Sequence, residues 1–388
     1  MGMPGFGTPK YVDTIKPLIQ LTDDGLFVLD TRYFEFESPN DLPYRPKLLE
    51  LLGAAREPES PFRIATPGVE PAAGSIEVVS QHYADIAASV QKATEEAILH
   101  VVRHAVGKTG IRDVCIAGGV GLNSLANGRI QRELGCRLYV HPAAGDSGTA
   151  LGAALNHYHV QVEKPRAGAL TNPYLGAAYG DNEILSALRL HRLDRFLHCP
   201  SGETLAKETV DRLVAGKVVG WMQGRFEWGP RALGNRSILA NPTLETTQEI
   251  VNVRIKFREP FRPFAPSVLV ESAHDYFELP ELIDASAPEN FMLSVANVRP
   301  DKRRIIPAVT HVDGTARVQV VRRETNPLYY DLIEAFGRRT GVPVILNTSF
   351  NMRGEPMVDK PYDALETFCW NDMDCLVMGN DLIDKEMV

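Results

Sequence analysis

The densest reactive chemistry in this 388-residue chain is cationic. Between residues 225 and 262, seven basic residues (Arg225, Arg231, Arg236, Arg254, Lys256, Arg258, Arg262) stand against four acidic ones (Glu227, Glu245, Glu249, Glu259). The run Arg254-Ile-Lys-Phe-Arg258 alternates, which predicts a strand over 251–258. That strand would carry Arg254, Lys256 and Arg258 on one face, about 7 Å apart, with Ile255 and Phe257 on the other. Upstream, Gly229-Pro-Arg-Ala-Leu-Gly-Asn-Arg-Ser237 sets Arg231 and Arg236 on a Gly/Pro turn. Cations outnumbering their neutralising carboxylates suit a phosphate or carboxylate ligand, although a charge stripe also fits a solvated strand face.

Three further clusters are polar or glycine-rich. The apolar run ending at Leu346 gives way to Asn347, Thr348, Ser349 and Asn351, groups able to hold a phosphate or carbonyl at a strand end, or simply to satisfy a turn. Val114-Cys-Ile-Ala-Gly-Gly-Val-Gly-Leu-Asn123 reads as a strand, a glycine turn and a helix start. In it Gly118, Gly119 and Asn123 could admit a nucleotide phosphate to free helix N–H groups. Ala144-Gly-Asp-Ser-Gly-Thr149 repeats the form, with Gly145, Ser147 and Gly148 as nucleotide contacts and Asp146 as a metal ligand or a helix cap. His100 and His104 are one helical turn apart, but the Glu of a zinc-protease helix is missing and Val101 and Val102 point to an amphipathic helix border.

These clusters need elements to position them. The apolar spacing over 78–106 predicts a long helix, 113–117 and 137–140 predict strands, and 149–157 predicts a helix of small residues. A helix is expected around Tyr11–Leu21 and a hairpin arm at Leu26–Leu29, followed by a Pro-punctuated polar stretch from Pro39 to Pro71. Beyond a linker candidate between Gln161 and Asp181, helices are expected at 183–193, 204–215 and 328–339, with strands at 217–222, 343–346 and 375–378. Length implies more than one domain. With 44% apolar and 23% charged residues the chain is of globular type, and a net charge of −8 argues against a general nucleic-acid binder. The five cysteines are scattered, odd in number and without a CxxC pair, which favours a reducing, cytoplasmic setting over a disulfide framework. No apolar run reaches about 18 residues, and the first residues lack signal-peptide character, so no membrane partner is expected.

In order along the chain, six blocks resemble the O-carbamoyltransferases of nodulation-factor and antibiotic biosynthesis. They are Ala117–Ser124, Ala144–Thr149, Gly229–Ser237, Ile255–Pro266, His311-Val-Asp-Gly-Thr-Ala-Arg317 and Asn347–Asn351. The resemblance implies an α/β fold in which the C-terminal half of an actin-like ATPase domain (TsaD-like, ASKHA; 1–165) is joined by a linker (166–175) to a YrdC-like domain (176–388). It implies that carbamoyl phosphate and ATP form carbamoyl-adenylate in the YrdC-like part, and that the carbamoyl group passes to a hydroxyl of a sugar or secondary metabolite. Lys256, Arg258, Ser349 and Asn351 fit the Lys-x-Arg…Ser-x-Asn signature of YrdC-like proteins. Arg231 and Arg236 would neutralise charge on the departing phosphate or pyrophosphate, and Gly118–Asn123 would hold nucleotide. Asp146 matches the family's metal-ligand aspartate; Mg2+ would accompany ATP, and a divalent metal such as Fe2+ would occupy the complete family site. The family's first third, with its His-x-x-x-His motif, has no counterpart here. The resemblance therefore implies an incomplete metal site, and a truncated, mis-started or split-subunit chain that binds nucleotide without complete transfer activity, or pairs with a missing subunit or itself.

Overall fold

The computed structural model describes residues 2–35, 43–57, 60–65, 70–166, 168 and 170–388. Positions 39–42, 58–59 and 66–69 of the expected Pro39–Pro71 stretch, and positions 167 and 169 of the expected linker, fall outside the described residues. The chain forms two compact units. One comprises Met1–Val114 with Arg129–Cys136, and the other Cys115–Gly128 with Arg137–Val388.

The first unit is built on a single helix, Ile76–Thr109, ended by Gly110 in the left-handed region at φ 71°. Its buried positions include Ala84, Ala88, Ala93, Ala97 and Leu99, so mostly small side chains face the neighbouring chain. At Gly7 the approach is closest: a Cβ would lie 2.0 Å from the Ala84 carbonyl oxygen. Buried Asp85 on this helix accepts from the Thr8 N–H at 2.7 Å and pairs with Lys10 at 2.6 Å. The helix expected around Tyr11–Leu21 is shorter, Val12–Ile15. Pro17 lies in the tighter turn that follows, and Ile19–Leu21 instead pairs antiparallel with Phe27–Leu29.

The second unit centres on an eight-stranded mixed sheet. Its order is Gln319–Val321, Ala265–Leu269, Val344–Ser349, Arg236–Ala240, Val219–Met222, Cys375–Met378, Asp381–Asp384 and Leu197–His198. The period-two rule sorts its side chains into two cores. Val219, Trp221, Leu239, Ile345, Cys375, Val377 and Leu382 pack with the Gly202–Val214 and Pro327–Thr340 helices. Met222, Ile238, Val344, Leu346, Leu376, Met378 and Ile383 pack on the other side with Asp181–Leu190 and Pro361–Cys369. The result is three layers, with the central strands contributing to both cores. Ser201 and Asn326 cap the first pair of helices by accepting from the Thr204 and Tyr329 N–H groups. Among the described residues no helix is long and apolar enough to cross a membrane, and all five cysteines are free thiols.

The strand expected over 251–258 does not form. Thr247–Ile250 is helical and runs into one wider π-type turn, Val251–Ile255. The burial is helical too: Val251, Asn252, Ile255 and Lys256 are inside, while Val253, Arg254 and Phe257 are exposed. Five alternating residues are too few to separate a period of two from a wound helix. The side chain of Asn252 decides the matter by donating to the carbonyls of Pro260 at 2.9 Å and Arg262 at 2.8 Å, curling the segment on itself.

Candidate functional site

After the π-type turn, Phe257 takes a left-handed conformation at φ 47°, uncommon for a residue with a side chain. This reversal sends Lys256 inward and leaves Phe257 outside. The Arg258 N–H returns to the Asn252 carbonyl at 3.0 Å, its Nε donates to Asn252 Oδ1 at 2.7 Å, and its guanidinium lies 5.0 Å from the centre of the Phe264 ring. Lys256 and Arg258 therefore meet because of a turn, and Arg254 does not join them.

The strand Val344–Ser349 delivers the opposing polar groups. Lys256 Nζ donates to the Ser349 carbonyl, to Ser349 Oγ at 3.1 Å and to Asn351 Oδ1 at 2.7 Å; the Ser349 hydroxyl also donates to Asn351 Oδ1 at 2.7 Å. Only 2% of Lys256 is exposed. Burial first, and the charge of Arg258 second, hold its ammonium well below the ordinary lysine pKa, with Glu355 opposing.

Two further arginines border this group. Arg231 comes from the Gly229–Ser237 loop and Arg317 from the short strand Thr315–Arg317. Burial pushes Arg231 down; burial, then Arg231 and Arg258, push Arg317 down to about 9, and burial followed by Arg262 pushes Arg258 to about 10. Guanidinium groups stay charged in proteins, so these shifts measure electrostatic stress rather than proton loss. The Nε groups of Arg231 and Arg317 are both buried without a hydrogen-bond partner. His311, whose charged form Arg317 disfavours, bonds Thr315 Oγ1 through Nδ1 at 3.0 Å and is kept neutral chiefly by burial. Crowded, dehydrated cations with unused N–H groups are stabilised by a multivalent oxyanion, which supplies both countercharge and acceptors.

Arg236 corrects the expectation that it faces the same anion. Its side chain is fully buried, and its donors go to carbonyls: Nη1 to Gln223 at 2.7 Å and Asn235 at 3.0 Å, Nε to Asp359 at 3.2 Å. It stacks 5.3 Å from the Phe226 ring centre. The physical reason is its place in a central strand, Arg236–Ala240, whereas Arg231 remains on the loop. Arg236 is thus a clamp for backbone carbonyls.

The loop carrying Arg231 is fixed from beneath. Glu227 Oε1 accepts from the N–H groups of Leu233 at 2.7 Å, Asn235 at 2.7 Å and Arg236 at 3.1 Å; burial nevertheless raises its carboxyl pKa. Asn347 donates to the Ala232 carbonyl at 3.2 Å, and Gln319 to that of Leu233 at 2.7 Å. Asn347, expected among ligand-holding groups, supports this loop from within the core. Gly229, at φ 123°, passes so close to the Pro142 carbonyl oxygen that a Cβ would lie 2.5 Å from it. Sequence spacing does not single out Arg317 or Glu227 as site groups. Arg317 is one cation on a three-residue strand, and Glu227 counts in the sequence only as a countercharge to the basic run.

The two glycine loops lie side by side. Gly118, at φ 93°, donates its N–H to the Ala144 carbonyl at 2.9 Å, and Gly145 packs against Leu122 and Gly119. Asn123 Oδ1 accepts from the Ala126 N–H at 3.3 Å, at the start of the Ser124–Leu134 helix. Asp146 and Ser147 lie on a short turn, Asp146–Gly148, before the helix Thr149–Asn156, and neither is buried. No group of three or more His, Cys, Asp or Glu side chains that could hold a metal occurs among the described residues. Asp146 is therefore not one of three such side chains gathered among the described residues. His100 Nε2 is bonded to the Thr22 carbonyl at 2.9 Å, a structural use of one of the two helical histidines.

Comparison with known proteins adds to this geometry. Residues 63–155 match a family model described as the carbamoyltransferase N-terminus, and residues 210–385 match the carbamoyltransferase C-terminus. An uncharacterized protein of Synechocystis is 40% identical over 412 residues, covering 99% of this chain and 63% of that protein. Nodulation protein NolO of Bradyrhizobium diazoefficiens is 43% identical over 307 residues, 79% of this chain and 55% of NolO. The 3'-hydroxymethylcephem-O-carbamoyltransferase of Streptomyces clavuligerus is 34% identical over 279 residues, 68% of this chain and 47% of the enzyme. The chain spans about half to two thirds of the length of these relatives.

Proposed function

Because the chain belongs to the carbamoyltransferase family, we propose that its C-terminal region binds carbamoyl phosphate and ATP at the Lys256–Arg258–Arg231–Arg317 cluster and forms carbamoyl-adenylate. The observation that carries this reading is the pair of buried, unpartnered guanidinium N–H groups on Arg231 and Arg317, beside a lysine held below its ordinary pKa. Atom balance sets the order of bond changes. Water cleaves carbamoyl phosphate to carbamate and phosphate; a carbamate oxygen then attacks the α-phosphorus of ATP and displaces pyrophosphate. An acceptor hydroxyl finally attacks the carbamoyl carbon, releasing AMP and a proton.

In that sequence Arg231 and Arg317 bind the phosphoryl oxygens and offset the charge that gathers on departing phosphate and pyrophosphate. Lys256, its three ammonium donors held by Ser349 and Asn351, contributes positive charge beside the phosphoryl group, while Arg258, set against Phe264, fixes a phosphoryl oxygen. Arg236 and Glu227 act by holding the loop. Mg2+ enters with ATP as part of the substrate. At the finer level we assign residues 1–165 to a TsaD-like, ASKHA-type portion whose Gly118–Asn123 and Gly145–Gly148 loops contact nucleotide, and 176–388 to a YrdC-like portion, with 166–175 as linker. The acceptor is a hydroxyl-bearing sugar or secondary metabolite, a class that includes the hydroxymethylcephem named for the Streptomyces relative.

The test is pyrophosphate release from ATP by the purified chain. Release that requires carbamoyl phosphate and disappears in Lys256→Met supports the proposal. Binding of nucleotide with no pyrophosphate formed would favour a nucleotide-binding protein without the activating step.

A further inference from the structure

In the second unit the helix Thr149–Asn156 lies uncovered. It reads Thr-Ala-Leu-Gly-Ala-Ala-Leu-Asn, runs into a π-type turn, His157–Gln161, and neither element buries a residue. Other helices of the same unit behave differently: Asp181–Leu190 buries Ile184, Ala187 and Leu188, and Pro361–Cys369 buries Ala364, Leu365 and Phe368. Leu151, Leu155 and Tyr158 recur at helical spacing, and Val160 and Val162 continue the apolar surface. Leu155 is 44% exposed and Val160 59%. A Cβ placed on Gly152 would meet nothing within 4 Å. Residues 149–162 include no Asp, Glu, Lys or Arg, in a chain of which 23% is charged.

Such a helix cannot be explained by the chain around it. A helix at a water surface turns a polar face outward, and isolated helices shorter than about 12–15 residues are marginal on propensity alone. Hydrogen bonds fix its two ends: the Thr149 hydroxyl donates to the Asp146 carbonyl at 2.6 Å, and the Val162 N–H to that of His157 at 2.9 Å. Burial of the apolar side chains must come from another body. Eight residues make a helix only about 12 Å long, so two copies crossing here would bury far less than the roughly 800 Å² per partner of a stable interface. A larger body without countercharge is required, and the relatives contain one. The family match over residues 63–155 includes this helix up to Leu155, and 99% of this chain accounts for 63% of the Synechocystis protein, which leaves more than a third of that protein unmatched.

We propose that residues 149–162 form a docking face for a polypeptide, the segment equivalent to that unmatched part of the Synechocystis protein, seated by apolar packing around Leu151, Leu155 and Tyr158.

Hydrogen exchange read by mass spectrometry tests this on the full chain, alone and co-expressed with the unmatched segment of the Synechocystis protein. Alone, the amides of residues 149–161 should exchange without protection at every chain concentration; in the complex they should slow about tenfold or more. Leu155→Asp should abolish the complex and leave the urea midpoint of the chain alone unchanged, because that side chain already meets water. High salt should not weaken the complex, since the face carries no charge. Amides that stay fast with the segment present, or a complex that survives Leu155→Asp, would overturn the proposal. Protection in the chain alone would overturn it too: at every concentration it would show that the chain covers the helix itself, and rising with concentration it would give the face to a second copy.

Discussion

Replacing Arg317 by methionine removes a buried charge but keeps an unbranched apolar stem, and it should move stability and ligand response in opposite directions. Burial first and then Arg231 and Arg258 push the guanidinium from its ordinary value down to about 9. That displacement corresponds to about 5 kcal/mol of stress on the charged form. Structural relaxation lowers the recoverable part to roughly 1–4 kcal/mol, the range seen when buried charges give way to apolar groups. The unliganded variant should therefore unfold at the same urea concentration as the wild type or a higher one. With ligand the sign reverses. Charge-assisted bonds from Arg317 to a phosphate dianion contribute about 3 kcal/mol, so their loss weakens binding about 150-fold. At carbamoyl phosphate about 100 times the wild-type Kd, the ligand adds about 2.7 kcal/mol to wild-type stability and only about 0.3 kcal/mol to the variant. Urea unfolding followed by circular dichroism, with and without ligand, reads both numbers. An empty variant destabilised by about 2 kcal/mol or more that keeps its full ligand increment would refute this reasoning, and Arg317 would be a structural residue.

Arg236→Met should behave in the opposite way, costing about 3–5 kcal/mol without ligand, because the carbonyls of Gln223, Asn235 and Asp359 lose their donor; the same urea curves check it. Carbamoyl phosphate affinity should fall as pH rises through the depressed pKa of Lys256, since burial and then Arg258 lower that value and only the ammonium attracts the anion. Titrations over a pH series should show this slope in the wild type and its absence in Lys256→Met. In the first unit, burial raises the Asp85 carboxyl, but Lys10, the Thr8 N–H and Gln81 outweigh it and hold the pKa below 3.8. Its stabilising contribution is thus complete above the unfolded value and lost as pH falls through the lower folded one. Asp85→Asn should cost about 1–3 kcal/mol near neutral pH and flatten the acid limb of the stability profile.

The parts of this molecule legible in sequence are those where one local rule acts alone. The Val344–Leu346 run, the Cys375–Met378 run and the glycine turn after Ile116 each follow from a few adjacent residues, and their strands and turn form where expected. Lys256, Arg258, Ser349 and Asn351 are legible as a group, yet the element that carries the two cations is not. The alternation of Arg254, Lys256 and Arg258 imitates a strand, while the real determinant is the bonding of Asn252 to carbonyls eight and ten residues away. Arg231 and Arg236 are equivalent by composition on one Gly/Pro-rich segment. Only sheet formation separates them, because Arg236 begins a central strand and its donors meet a ring of carbonyls. Arg317 reaches the cluster through sheet and loop topology, a long-range relation that residue spacing does not encode.

The central claim is that the cation cluster is the site for carbamoyl phosphate, and calorimetric titration of the purified chain in two buffers of different ionisation enthalpy tests it most directly. One site per chain is predicted, with proton uptake on binding at alkaline pH as the anion restores the Lys256 ammonium, and loss of both affinity and uptake in Lys256→Met. Binding of equal affinity and stoichiometry in Lys256→Met and Arg317→Met would place carbamoyl phosphate elsewhere and contradict the claim.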